Sequence, residues 1–108
     1  MKQSILCVGA DVHLNEIVLR AVDKLTSDEV IAPCRVTNNL PGAEAAARQL
    51  LEVATSQRYT CIQIGYEATG MLWIPFHRFL QTSQLLEPFE VQQVCFNPKL
   101  TLPRYCRQ

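Results

Sequence analysis

Apolar positions along the chain alternate or cluster in short runs, and the breaks between them outline the elements. Residues 4–12, SILCVGADV, form a β-rich apolar run that predicts a buried strand. Residues 15–23, NEIVLRAVD, put Ile17, Leu19 and Ala21 on one face of a second strand. Only HLN separates the two, which predicts a hairpin and antiparallel pairing. After the polar turn KLTSD, residues 29–37, EVIAPCRVT, read as a third strand. Pro33 has no N–H to give a ladder, so this strand belongs at an edge or carries a bulge.

The period then lengthens. In NNLPGAEAAARQLLEVATSQR, Asn38 or Asn39 can cap a helix and Pro41 suits its first turn. Ala43, Ala46, Ala47, Leu50, Leu51 and Ala54 make an apolar stripe along it. YTCIQIGYE predicts a fourth strand, and TGMLWIPFHRFLQTS a second helix that Thr69 can cap. Pro75 is compatible only with that helix's first turns or with a kink. Met71, Leu72, Ile74, Phe76, Phe79 and Leu80 make the segment apolar nearly all round, so it must be well covered or meet a partner. FEVQQVCFN predicts a fifth strand, and PKLTLPRYCRQ reads as a basic tail without a clear element.

The order β-β-β-α-β-α-β fixes an α/β topology. Three strands meander, and two right-handed crossovers return strands four and five parallel to the first. The expected sheet is mixed and five-stranded, in the order 3-2-1-4-5 with helical crossovers, which is the ribonuclease H-like arrangement. The expected division is one domain over residues 1–98 and a basic tail over 99–108.

Composition narrows the setting. The 108 residues suffice for one small core, and 48% hydrophobic with 19% charged residues describes a folded chain rather than a disordered one. No apolar run reaches the roughly 18 residues of a membrane span, and the N-terminal run ends in Asp11 rather than a small-residue cleavage site, so cytoplasm is the expected location. Five cysteines fall without zinc spacing, mostly in strand-like contexts, and read as small buried hydrophobes. The formal net charge is zero, which gives no support for autonomous tight binding of nucleic acid. Catalysis on nucleic acid remains compatible with it, because metal ions can supply positive charge at a site.

Two carboxylates stand out. Gly9-x-Asp11 and Gly65-x-Glu67 each close an apolar run. Parity places Cys7, Gly9 and Asp11 on one face of strand one, and Cys61, Gln63, Gly65 and Glu67 on one face of strand four. If the strands are parallel neighbours, about 4.8 Å apart, the acids face each other at their carboxyl ends, where open α/β sheets bind ligands. Carboxylates that close repel unless a proton or cation intervenes. Mg²⁺ or Mn²⁺ suits hard oxygen ligands of this kind, and a pair of such ions can serve phosphodiester chemistry. The same spacing also allows a plainer use: Asp11 capping a turn, Glu67 capping the following helix.

VGADVH (8–13), RVTNNLPG (35–42), YEATGMLWIP (66–75) and CFNP (95–98) fall in the order and spacing of one family. They resemble the N-terminal domain of DEDD-type, RuvC-like insertion-sequence transposases, whose full-length members are RNA-guided recombinases. The run E-A-T-G-x-x-W-x-P is the specific part; G-x-D-V is shared with many ribonuclease H-like and actin-like ATPase domains. By this resemblance Asp11 and Glu67 match the first two acids of a catalytic metal site that takes Mg²⁺ or Mn²⁺. The family's two further aspartates have no counterpart here, since no acidic residue follows Glu90, and the second domain with its serine nucleophile is absent. The expectation is therefore a truncated chain, inactive alone, whose intact parent carries out metal-dependent DNA strand cleavage and transfer with DNA, and a guide RNA, as partners.

Other residues receive plainer readings. His13, two residues beyond Asp11, can face the same cleft as a ligand or phosphate contact but reads first as an exposed hairpin residue; His77 reads as a helix-surface residue and Trp73 as core packing. Thr69 and Gly70 read as the helix entry that fixes Glu67. Lys99, Arg104 and Arg107 read as a solvated basic terminus. Two other functions remain open at this point. One is an actin-like or sugar-kinase ATPase lobe, against which the glycine-free DVHLNE counts. The other is a non-enzymatic module that dimerises through the apolar helix 70–82.

Overall fold

The computed structural model describes residues 4–67, 70–96 and 105–107, with Glu67, Phe96 and 105–107 described by their backbone. The elements are β1 (Ile5–Val12), β2 (Glu16–Asp23), β3 (Glu29–Thr37), α1 (Leu40–Ser56), β4 (Cys61–Glu67), α2 (Ile74–Thr82), β5 (Glu90–Phe96) and β6 (Tyr105–Arg107). The sheet order is β3-β2-β1-β4-β5-β6. The expected 3-2-1-4-5 arrangement is present, with β2 antiparallel to both of its neighbours and β4 parallel to β1 and to β5.

The sixth strand corrects the expectation of an element-free tail. Tyr105–Arg107 pairs antiparallel with β5, setting Cys106 opposite Cys95. The rest of the segment 97–104 and residue 108 lie outside the described residues.

Both crossovers run in the same direction across the sheet, so both helices cover one face. Leu6, Val8 and Ala10 of β1, Ile17, Leu19 and Ala21 of β2, and Ile62, Ile64 and Tyr66 of β4 form one core with Ala43, Ala46, Ala47, Leu50 and Ala54 of α1 and Phe76 and Leu80 of α2. The alternate residues of β1 and β4, including Gly9, Asp11, Gln63 and Gly65, lie on the opposite face. Pro33 meets both halves of its expectation, since β3 is an edge strand and its pairing with β2 shifts register beside it.

Each helix starts where its sequence dictates. Asn39 caps α1, its Oδ1 accepting from Gly42 N at 2.9 Å and from Thr37 Oγ1 at 2.7 Å. Gly42 is obligatory because a Cβ there would lie 1.8 Å from the Thr37 carbonyl oxygen. The second helix is shorter than its apolar run. Pro75 sits in its first turn, so α2 begins at Ile74 with Trp73 at the cap position and no side-chain cap bond. Thr69 lies outside the described residues, four positions before that cap. Met71 and Leu72 precede the helix and are exposed.

His77 is buried, contrary to the surface placement expected for it. With α2 beginning at Ile74, Trp73, His77 and Leu80 fall at helical spacing on the side that meets the sheet. The His77 ring packs edge-on against Tyr66 at 6.1 Å and lies 5.4 Å from Trp73. Trp73 in turn lies 5.5 Å from Tyr66 and donates Nε1–H to the Gly70 carbonyl at 2.8 Å, in line with its packing role.

Candidate metal centre

The register of the central parallel pair builds the site. Cys7 is opposite Gln63, Gly9 opposite Gly65 and Ala10 opposite Tyr66. The ladder ends at Ala10 and Tyr66, one residue before Asp11 and Glu67 at the carboxyl ends of both strands. Asp11 is exposed on the face away from the helices, and it also pairs in the ladder with Val18 of β2. Glu67 ends β4 opposite Phe96 of β5. Because α2 is capped at Trp73, Glu67 stands seven residues before the helix and does not occupy a cap position.

Two residues before the two acids both strands lack a Cβ, and the Arg20 stem flanks Gly9. A Cβ added at Gly9 would meet Arg20 Cγ at 3.6 Å, and one at Gly65 would meet nothing nearer than the Val8 carbonyl oxygen at 3.9 Å. Neither glycine has a positive φ. Further down, the same face carries a polar chain. Gln63 Oε1 accepts from Cys7 Sγ at 3.6 Å and from Lys24 Nζ at 3.4 Å, Gln63 Nε2 donates to Gln92 Oε1 at 3.0 Å, and Gln92 Nε2 donates to Glu90 Oε2 at 2.7 Å. Burial pushes the Cys7 thiol up, with Lys24 pulling the other way. Burial likewise pushes the Cys61 thiol up. Both thiols therefore stay protonated and unreactive near neutral pH.

At the rim, His13 Nε2 lies 3.1 Å from Asp11 Oδ2, with both side chains more than half exposed. His13 belongs to the β1–β2 hairpin, as its sequence position implies, and its main chain is pinned. Its N–H donates to the Glu16 carbonyl at 2.8 Å, and its carbonyl accepts from Asn38 Nδ2 at 2.8 Å. Of the two candidate caps Asn39 takes the role, and Asn38 ties the hairpin to the start of α1.

On the helix side, a groove of about 390 Å³ runs between the hairpin tip and the two helix starts. Leu14, Leu40, Met71 and Leu72, all large and exposed, line it together with Phe79. The signal for it was present in Pro75, which forces Met71 and Leu72 out of the helix that would have hidden them.

The oxygen chemistry of Asp11 and the position of Glu67 fit one hard divalent cation. Among the described residues no group of three or more His, Cys, Asp or Glu side chains gathers in a way that would hold a metal ion. A two-ion arrangement therefore needs ligands beyond those described.

No family model matches the chain, and no curated protein matches it either. Solved structures do. The chain is similar to Thermus thermophilus RuvC, solved in complex with a Holliday junction substrate, at 14% identity and a TM-score of 0.51 over 87% of this chain and 65% of that one. It is also similar to Marinitoga piezophila Argonaute, solved in complex with a 5′-hydroxyl guide RNA, at 13% identity and a TM-score of 0.55 over 89% of this chain and 17% of that one. The chain thus spans just under two thirds of RuvC's length and about a sixth of Argonaute's. At these identities the likeness defines the fold. The chain has a ribonuclease H-like fold.

Proposed function

We propose that this chain is part of a DEDD-type transposase catalytic domain, in which Asp11 and Glu67 bind Mg²⁺ or Mn²⁺ for strand cleavage and transfer on DNA by the intact parent protein. The observation that carries the reading is the β1–β4 register. It aligns Gly9 with Gly65 and leaves the next outward-facing position of each strand acidic, at the strand ends where this sheet type binds ligands. The motif E-A-T-G-x-x-W-x-P at 67–75 supports the family, and the likeness to two nucleic-acid-bound structures supports the substrate class.

When bound, the cation would supply Lewis-acid stabilisation of charge on phosphate oxygens. The chain's own part is to hold Asp11 on a strand end paired with Val18 of β2, and to leave the floor without a Cβ at Gly9 and Gly65. The neutral net charge leaves the grip on nucleic acid to other parts of an assembly, with DNA and a guide RNA as the proposed partners. The ATPase-lobe alternative loses ground. The β1–β2 connection is a tight hairpin closed by His13 N–H to Glu16 O, and it holds no glycine to shape a phosphate loop.

The test is thermal unfolding with and without Mn²⁺, comparing the natural chain with Glu67→Gln. Stabilisation of the natural chain that Glu67→Gln loses supports a shared ion. Equal stabilisation of both counts against it. Metal-dependent DNA cleavage by the 108-residue chain itself is expected to be negligible, because two carboxylates do not fix a two-ion geometry.

A further inference from the structure

We propose that His13 is a nitrogen ligand of the cation held by Asp11, making the centre a mixed nitrogen–oxygen site that favours Mn²⁺ over Mg²⁺. The inference rests on the reading of Asp11 as a metal ligand and adds to it a residue outside the acidic set.

Three observations carry it. His13 follows Asp11 by two residues, just past the end of β1, and its ring lies against the Asp11 carboxylate. The imidazole Nε2 and the carboxylate Oδ2 are 3.1 Å apart. With bonds of about 2.1–2.2 Å to each atom, that separation subtends about 90–95° at an ion, the angle between adjacent ligands of an octahedral centre. Finally, the ring is presented by a fixed main chain. His13 N–H is bonded to Glu16 O, Asn38 Nδ2 bonds the carbonyls of His13 and Leu14 at 2.8 and 3.4 Å, and Asn38 N–H donates to Asn15 O at 3.1 Å. Both side chains remain open to solution, so an ion can reach them.

A plain ion pair explains the contact less fully. An exposed His–Asp pair contributes little to stability, yet four hydrogen bonds hold the hairpin that presents this one. First-row transition ions, even Mn²⁺ at the weak end of their series, accept a nitrogen donor more readily than Mg²⁺, which prefers oxygen and retains its waters. One nitrogen donor therefore shifts preference toward Mn²⁺.

The experiment is pulsed electron paramagnetic resonance on the full chain loaded with Mn²⁺, with calorimetric titration of Mn²⁺ and Mg²⁺ alongside. The expected result is a directly bonded nitrogen signal that changes on ¹⁵N-histidine labelling and persists in His77→Phe. It vanishes in His13→Ala, whose Mn²⁺ affinity falls about tenfold or more while Mg²⁺ affinity moves far less. Mn²⁺ binding that Asp11→Asn abolishes, with no nitrogen signal and an unchanged His13→Ala affinity, overturns the role of His13 and leaves the carboxylate reading standing. Absence of Mn²⁺ binding, or binding that Asp11→Asn leaves intact, overturns both. A nitrogen signal that survives Glu67→Gln at full affinity supports His13 while removing Glu67 from the site.

Discussion

Gly9 of β1 and Gly65 of β4 are direct partners across the parallel pair at the centre of the sheet, and neither is required by the fold around it. Glycine inside a strand is costly, by roughly 0.5–1 kcal/mol relative to alanine. Here the cost is met twice at paired positions, each two residues before a candidate metal ligand. Gly65→Ala should therefore raise the melting temperature by about 2–5 °C. Gly42→Ala, by contrast, should lower it clearly, by about 1–3 kcal/mol of stability, because its Cβ collides with the Thr37 carbonyl. Differential scanning calorimetry of the two variants checks the contrast. A loss of stability in Gly65→Ala as large as that in Gly42→Ala would mean the central glycine serves packing rather than ligand access.

A second prediction concerns pH. Asp23 accepts from Tyr59 Oη at 2.8 Å, Leu25 N at 2.9 Å and Thr26 N at 3.0 Å, tying the β2–β3 turn to the end of α1. The Thr26 amide bond, followed by the Tyr59 hydroxyl bond, holds the Asp23 carboxyl below its ordinary value. Its contribution is therefore present above the unfolded carboxylate pKa, near 4, and is lost as pH falls through the lower folded value. Burial, and then the bond to Asp23, push the Tyr59 phenol up to about 12. That contribution is complete below the unfolded tyrosine value near 10 and is lost as pH rises through about 12. Tyr59→Phe should flatten both limbs of a stability-versus-pH curve from urea titrations. Unchanged limbs would show that the bond does not couple the two groups.

A third prediction follows from His77. Its Nδ1 is buried without a hydrogen-bond partner among the described residues, whereas Gln93 satisfies itself by accepting from Tyr66 Oη and donating to the His77 carbonyl. An unpaired buried polar atom costs about 1–3 kcal/mol, and phenylalanine nearly matches the imidazole in shape. His77→Phe should leave the melting temperature unchanged or raise it by several degrees. Tyr66→Phe should lower stability by about 1–3 kcal/mol, since it strands Gln93 Oε1. A sharp drop in His77→Phe would reveal a partner for Nδ1.

Much of this architecture was legible in the chain because the same forces act locally and globally. Alternation in β1 and β2, the alanine stripe of α1 and the handedness of crossovers suffice for the order of five strands. Pro33 marked both an edge and a bulge. What escaped depended on contacts set from a distance. The apolar stretch 71–80 has no unique face until Pro75 fixes where α2 starts, and the side of His77 follows from that start. Tyr105–Arg107 is too short, and follows two prolines too closely, to announce a strand; the open edge of β5 recruits it. At the candidate site, the parallel pairing of β1 with β4, with Gly9 opposite Gly65, follows from the crossovers and the matched glycine–acid spacing. The two-residue step from Asp11 lets His13 face the same cleft; the bonds that steady its hairpin come from Asn38, 25 residues away.

The central claim, that Asp11 and Glu67 share one divalent cation across the β1–β4 pair, is tested most directly by calorimetric titration of Mn²⁺ into the natural chain, Asp11→Asn and Glu67→Gln. The account predicts a single binding event in the natural chain, with each substitution weakening it by about tenfold or more at unchanged secondary structure. The same isotherm from all three proteins would contradict it.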